Sequence, residues 1–252
     1  MLLAFIVTFI AGISTLIGGV IVVSFKETNK MMLSLSLSFS AGVMIYVSFM
    51  EILPKASIYV ADSANPELVI LISFFIGIIL MVILDYFLPE VGSNSMEESS
   101  DHSSSLKRMG LFTMIVIALH NFPEGMITFF SVMDDPVVGI SIGIAIFIHN
   151  VPEGMAIAAP IYHGTKSKKK ALFYSGFAGL AEPIGGLLGY MLLLNYMNNQ
   201  LLGIVFSLVA GIMIYISFDE LLPASKKHSN HHVSIIGLFS GMLVMGISLV
   251  LL

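Results

Sequence analysis

His120-Asn121-Phe122-Pro123-Glu124-Gly125 recurs 29 residues later as His149-Asn150-Val151-Pro152-Glu153-Gly154. Each copy sits inside an apolar run, MGLFTMIVIALHNFPEGMITFF (109–130) and VVGISIGIAIFIHNVPEGMAIAAP (137–160), long enough to cross a bilayer as a helix. On a helix each residue advances about 100°, so Glu124 lies about 40° from His120 and about 60° from Asn121, between the two. Glu153 stands the same way to His149 and Asn150. The proline at the fourth position of each motif cannot donate to the carbonyl four residues back, which frees the Leu119 and Ile148 carbonyls beside the histidines. Imidazole, carboxylate, amide oxygen and a bare carbonyl converging from two kinked helices make a cation site. Histidine tilts its preference toward zinc or another transition metal over magnesium or calcium.

The rest of the chain agrees with that setting. Its 252 residues are 57% hydrophobic and only 11% charged, where soluble domains run near 25% charged. Mean hydropathy is +0.97. Eight spans are expected at roughly 2–25, 31–53, 67–88, 109–131, 137–160, 171–194, 201–223 and 233–252, within a single transmembrane domain. The first lacks a basic leader and a small-residue cleavage site, and reads as a spanning helix rather than a signal peptide. Cysteine is absent, so disulfides and thiolate ligands are excluded. The net charge of −5 says little about partners in such a chain, and no nucleic-acid partner is expected.

Basic residues orient the bundle. Lys26 and Lys30, Lys107 and Arg108, Lys166 and Lys168 to Lys170, and Lys226 and Lys227 all fall in odd-numbered loops, leaving only Lys55 in an even one. Short loops rich in Lys and Arg stay cytoplasmic. Eight spans with both termini outside, in the inner membrane, is the consistent arrangement. The third loop, 89–108, is rich in serine and acid and is expected to be mobile and cytoplasmic. Its His102, like His228, His231 and His232 in the seventh loop, reads as an ordinary solvated residue or as a metal-sampling one.

A second repeat is weaker. AGVMIYVSFMEILP (41–54) matches AGIMIYISFDELLP (210–223) at ten of fourteen positions, and AGISTLIGG (11–19) resembles AGLAEPIGG (178–186). The matched spans are five apart in order and so cross in opposite senses. The fold class expected is therefore an all-α membrane protein, an eight-helix transmembrane bundle with a 3+2+3 inverted pseudo-repeat. Inverted repeats recur in secondary transporters, with the substrate site near the midplane. Where the first span has Thr15-Leu16, the sixth has Glu182-Pro183. An acid and a helix break were installed in a shared scaffold.

Glu124, Glu153 and Glu182 fall near the middle of their spans, at about 2.5–3.5 kcal/mol each on insertion scales. No Lys or Arg lies inside a predicted span to neutralise them. Either they are protonated and bonded to one another or a cation compensates them. Polar glue between helices is real for Ser, Thr and Asn, but accounts poorly for three proline-flanked glutamates, two of them four residues after a histidine. Met44 is a soft potential ligand in the second span, although a methionine among seventeen usually packs. Glu51, and Glu220 with Asp219, lie toward opposite membrane faces, where they either gather cations at the two mouths or are merely solvated. If Glu51 gathers cations, Glu51→Gln raises the apparent KM for external metal.

With these residues the sequence resembles the ZIP (Zrt-, Irt-like) metal transporters, most closely their short bacterial members, over essentially its whole length. The resemblance implies a binuclear centre between spans two, four, five and six. One metal would be held by His120, Glu124 and Glu153, with Met44 as a plausible fourth ligand. The other would be held by Asn121, Asn150, Glu182 and a bridging Glu153. His149 stands where members vary. The third loop departs from the family's often histidine-rich one. The resemblance further implies import of divalent metal into the cytoplasm, zinc first, with iron, manganese, cobalt or cadmium also accepted. The metal is cargo rather than a prosthetic group.

The expectation is a secondary or facilitated importer working by alternating access without ATP, since no nucleotide-binding motif is present. Its partners are divalent metal ions and the lipid bilayer, and a homodimer is an admissible assembly. An intramembrane metallohydrolase and a non-transporting metal sensor are the rival readings. Against the first, H-E-x-x-H is missing. A non-enzymatic role is expected.

Overall fold

The computed structural model describes residues 1–25, 30–87, 102–193 and 198–251. Among them all regular structure is helical, and eight helices are long and apolar enough to cross a membrane. They are α1 (Leu2–Ser24), α2 (Lys30–Tyr59), α3 (Pro66–Tyr86), α4 (Leu106–Asp134), α5 (Pro136–Thr165), α6 (Lys168–Leu192), α7 (Asn199–His228) and α8 (His231–Leu251). The expected mobile loop over 89–108 lies outside the described residues as far as 101. From His102 on the chain is already helical and runs without a break into α4, so that end of the expected loop is corrected to helix.

α2 and α7 run beyond the apolar stretches that announce them. Pro54 and Pro223 should end each helix, because neither can donate to the carbonyl four residues earlier. Instead each proline follows a wide π turn, Ser48–Ile52 or Ile216–Leu221. There Leu53 N–H reaches back five residues to the Ser48 carbonyl, and Leu222 N–H to that of Ser217. The wider turn absorbs the missing bond, and the helix carries on to Tyr59 or His228. α6 breaks properly, into Lys168–Gly179 and Ala181–Leu193. Pro183 cannot donate to the Gly179 carbonyl, and Glu182 is left in the first turn of the second segment.

The helices pack as two groups of four. α1 lies on α5 and the first half of α6, and α4 lies on α5 and the second half of α6; α3 packs on α7, and α2 on α8. α2 against α5, with α7 against α4, joins the groups. In the most apolar stretches of α2 and α4, 72% of residues are buried, against 17% in α3 and 22% in α8. The centre of the bundle is therefore the α2/α4/α5 seam, and α3 and α8 face outward. Association in lipid rests on close packing rather than on escape from water. Two glycines set how close the central helices come. A Cβ on Gly154 would collide with the Thr15 carbonyl, and one on Gly125 with the Glu182 carbonyl. Each glycine directly follows a motif glutamate, so these contacts fix the depth and facing of Glu153 and Glu124.

Ser34, Ser36, Ser38 and Ser40 of α2 are buried, small enough to let neighbouring helices come close, and Ser34 adds a bond across helices. Its hydroxyl lies 3.0 Å from that of Ser225 and 3.3 Å from that of Ser234, tying α2, α7 and α8 at one end.

Candidate metal centre

α4 and α5 cross so that each helix's histidine meets the other helix's glutamate. His120 Nε2 lies 3.0 Å from Glu153 Oε1, and His149 Nε2 lies 3.5 Å from Glu124 Oε2. The first pair is a hydrogen bond. The second is within ion-pair distance but poorly aimed, and leaves His149 Nε2 and both Glu124 oxygens without a hydrogen-bond partner. His120, Glu124 and Glu153 each offer one ligand atom within 4.8 Å of the other two, and all three residues are buried.

The two asparagines complete the cluster differently. Asn150 Nδ2 donates to the Ala11 carbonyl at 3.1 Å and to Glu182 Oε1 in a short bond. This leaves Asn150 Oδ1 and Glu182 Oε2 buried and unpartnered. The oxygen and nitrogen of the Asn121 amide can be assigned in two ways. In one, Nδ2 donates to the Ala178 carbonyl at 3.5 Å, and Oδ1 faces only acceptors. In the other, Nδ2 lies 3.1 Å from the Ile117 carbonyl and 3.2 Å from Glu153 Oε2, its two hydrogen-bond acceptors, and 3.1 Å from His120 Nε2. Without a cation the second satisfies more groups. With a cation among these residues the first wins, because an amide ligates through oxygen and an amide nitrogen does not.

Buried polar atoms are normally hydrogen-bonded. Here oxygens of Glu124, Asn150 and Glu182 and ring nitrogens of His120 and His149 all lack a partner. Orphans concentrated in one cluster of acceptor-rich side chains fit a divalent cation and fit neither core packing nor interhelical glue. Met44 is fully buried in the same core, where its sulfur receives the Ser40 hydroxyl at 3.9 Å. Met213 sulfur receives that of Ser48 at 3.8 Å.

A narrow cleft adjoins this cluster. Glu124 and His149 line its deep end and Glu51 and Lys55 its shallow end, with Ile146 and Phe206 among the walls. Lys55 Nζ is 2.7 Å from Glu51 Oε1. Sequence reasoning put Lys55 in a loop, because the apolar stretch stops at Leu53. The signal that places it on the helix is the paired pattern S-F-x-E-x-L-P, whose proline is carried by a π turn.

Residues 89–249 match the ZIP Zinc transporter family. The chain is 49% identical over 255 residues to Zinc transporter ZupT of Streptococcus mutans serotype c, covering 98% of this chain and 97% of that one. It is 48% identical over 261 residues to Zinc transporter ZupT of Chlorobium chlorochromatii (99% and 97% covered) and 43% identical over 273 residues to that of Clostridium perfringens (99% and 96%).

Proposed function

The chain belongs to the ZIP zinc transporter family, and from that premise we propose that it moves divalent transition metal, zinc first, across the inner membrane into the cytoplasm. It is a transporter rather than an enzyme. The observation that carries the reading is the crossed pair of motifs. Two imidazoles and two carboxylates from α4 and α5 meet in a buried cluster whose spare lone pairs have no protein partner.

In this reading one ion is held by His120, Glu124 and Glu153, with Met44 turning its sulfur from Ser40 to the metal. The neighbouring ion is held by Asn121, Asn150 and Glu182, and Glu153 bridges the two. His149, opposite Glu124, is a further ligand. Iron, manganese, cobalt and cadmium are secondary cargoes, since nitrogen and oxygen ligands without thiolate discriminate weakly among divalent metals. Both termini lie outside and the Lys-rich loops lie in the cytoplasm. The 3+2+3 inverted repeat is supported by the matched π turns of α2 and α7 and by the pairing of α2 on α8 with α3 on α7. Rocking of one four-helix group against the other gives alternating access without ATP.

The test is radiometal uptake into proteoliposomes holding wild type, Glu153→Gln or His120→Ala. Uptake by wild type that falls at least tenfold in both variants is expected. Saturable zinc binding with no net flux would leave a sensor, and cleavage of a substrate without flux would leave a metallohydrolase. A Glu153→Gln variant as active as wild type would remove Glu153 from the path.

A further inference from the structure

Lys55 is out of place twice over. It is the one basic residue of eleven that runs against the charge asymmetry orienting the helices. Its counterpart in the second copy of the motif, after Glu220-Leu221-Leu222-Pro223, is Ala224. Topology gains nothing from a lysine here, and the matched segment folds without one. The lysine nevertheless sits on the wall of the cleft that ends at Glu124 and His149.

The cleft has one direction. Its lining on α2 runs from Val47 to Lys55, on α5 from His149 back to Ile142, and on α7 from Val209 back to Phe206. All three run toward the membrane end where α4 passes into α5, and at that end of the lining stands the partly exposed Lys55. A cation taking this route meets Glu51 and Lys55 first. The π turn at Ser48–Ile52 turns Glu51 into the wall, and only one of its oxygens is used. Oε1 takes Lys55 at 2.7 Å, whereas Oε2 is buried with no partner. A pair four residues apart on a helix is ordinarily a solvated ornament. This one stands in the approach to a cation site, with half its carboxylate unspent.

We propose that Lys55 is a tethered internal competitor of the cargo. Its ammonium occupies Glu51 when no metal is present and must be displaced for a cation to pass, which makes Lys55 a selectivity residue for divalent over monovalent ions. Attraction to a carboxylate scales with ionic charge. A sodium or potassium ion therefore meets Glu51 on no better terms than the ammonium already bound to it. A divalent ion has twice the charge, and its added coordination to Oε2 tips the exchange. The displaced ammonium, on a flexible four-carbon stem, swings toward solvent, where its side chain is already 28% exposed. This inference rests on the transport reading and adds a residue to it.

The experiment compares wild type, Lys55→Met, Lys55→Arg, Glu51→Gln and Glu51→Gln/Lys55→Met by zinc uptake into proteoliposomes and by equilibrium zinc binding in detergent. Lys55→Met should lower KM and tighten binding by about threefold to fivefold, the range of a partly exposed pair, with kcat unchanged. Sodium, against choline, should inhibit Lys55→Met more than wild type. Lys55→Arg should match wild type, and the double variant should match Glu51→Gln alone. KM and affinity unchanged or worsened in Lys55→Met would overturn the proposal. So would an undiminished Lys55→Met effect in the Glu51→Gln background, which would mean general charge repulsion. Wild type that carries no metal while Lys55→Met still binds zinc more tightly would defeat the transport reading and leave this one standing. Normal wild-type flux with an inert Lys55 would do the reverse.

Discussion

Replacing Glu124 with glutamine should move stability in opposite directions with and without metal. Glu124 is buried, neither of its oxygens has a hydrogen-bond partner among the described residues, and His149 Nε2 stands 3.5 Å from one of them. A buried polar group without a partner is unfavourable by about 1–3 kcal/mol, and by more when charged. Glutamine keeps the shape and removes the charge, so the metal-free variant should gain about 1 kcal/mol. For a chain of this size that is about 2–4 °C in Tm. Zinc reverses the order. Wild type at a hundred times its Kd gains about 2.7 kcal/mol by mass action, whereas the variant, short of a charged ligand, gains only a fraction of this. Melting of detergent-purified protein, in chelator and then in zinc, should show two curves that cross. A metal-free variant that melts below wild type would refute the argument and make Glu124 a structural anchor. An undiminished zinc shift would remove it from the ligand set.

Two further outcomes follow from the same geometry. Gly154→Ala forces a methyl against the Thr15 carbonyl beside Glu153; it should destabilise by about 1–3 kcal/mol and reduce uptake, measured by melting and radiometal flux. Gly176→Ala, whose methyl meets only the Leu16 side chain at 3.5 Å, is the matched control and should melt within about 2 °C of wild type. Zinc uptake should fall between pH 7 and pH 5, because protons and metal compete for the same imidazole and carboxylate lone pairs; a flat profile over that range would count against His120, His149 and the glutamates as ligands.

The histidine and glutamate cluster was legible because its chemistry is written twice. Two H-N-x-P-E-G motifs, each inside an apolar run, cannot be reconciled with lipid or with simple core packing. What spacing could not provide is the crossing. Helical periodicity puts His120 and Glu124 on one face, yet the contacts formed are His120 with Glu153 and His149 with Glu124. Those depend on how closely α4 and α5 approach their neighbours, which Gly125 and Gly154 decide. The ends of α2 and α7 were not legible, because proline is a reliable stop signal unless a π turn precedes it. That single irregularity turned Lys55 from a loop residue into part of the cleft wall.

Two crossings in the bundle share one construction and differ in one side chain. On α1, the Ala11 carbonyl receives Asn150 and the Thr15 carbonyl faces Gly154. On α6, the Ala178 carbonyl lies 3.5 Å from Asn121 Nδ2 and the Glu182 carbonyl faces Gly125. Backbone and small residues correspond position by position, so a glutamate at residue 15 would be housed as Glu182 is. It would also add a fourth carboxylate to the cluster, at about 2.5–3.5 kcal/mol, facing Asn121 and Glu153. Threonine stands there instead, buried and with its hydroxyl unpartnered. Asn121, given no acid of its own, has its amide nitrogen toward Glu153 in the assignment that satisfies more groups. The scaffold is doubled and the charge is not. In the binuclear reading proposed above, three carboxylates would leave two divalent ions one negative charge short of balance, and that shortfall would favour release.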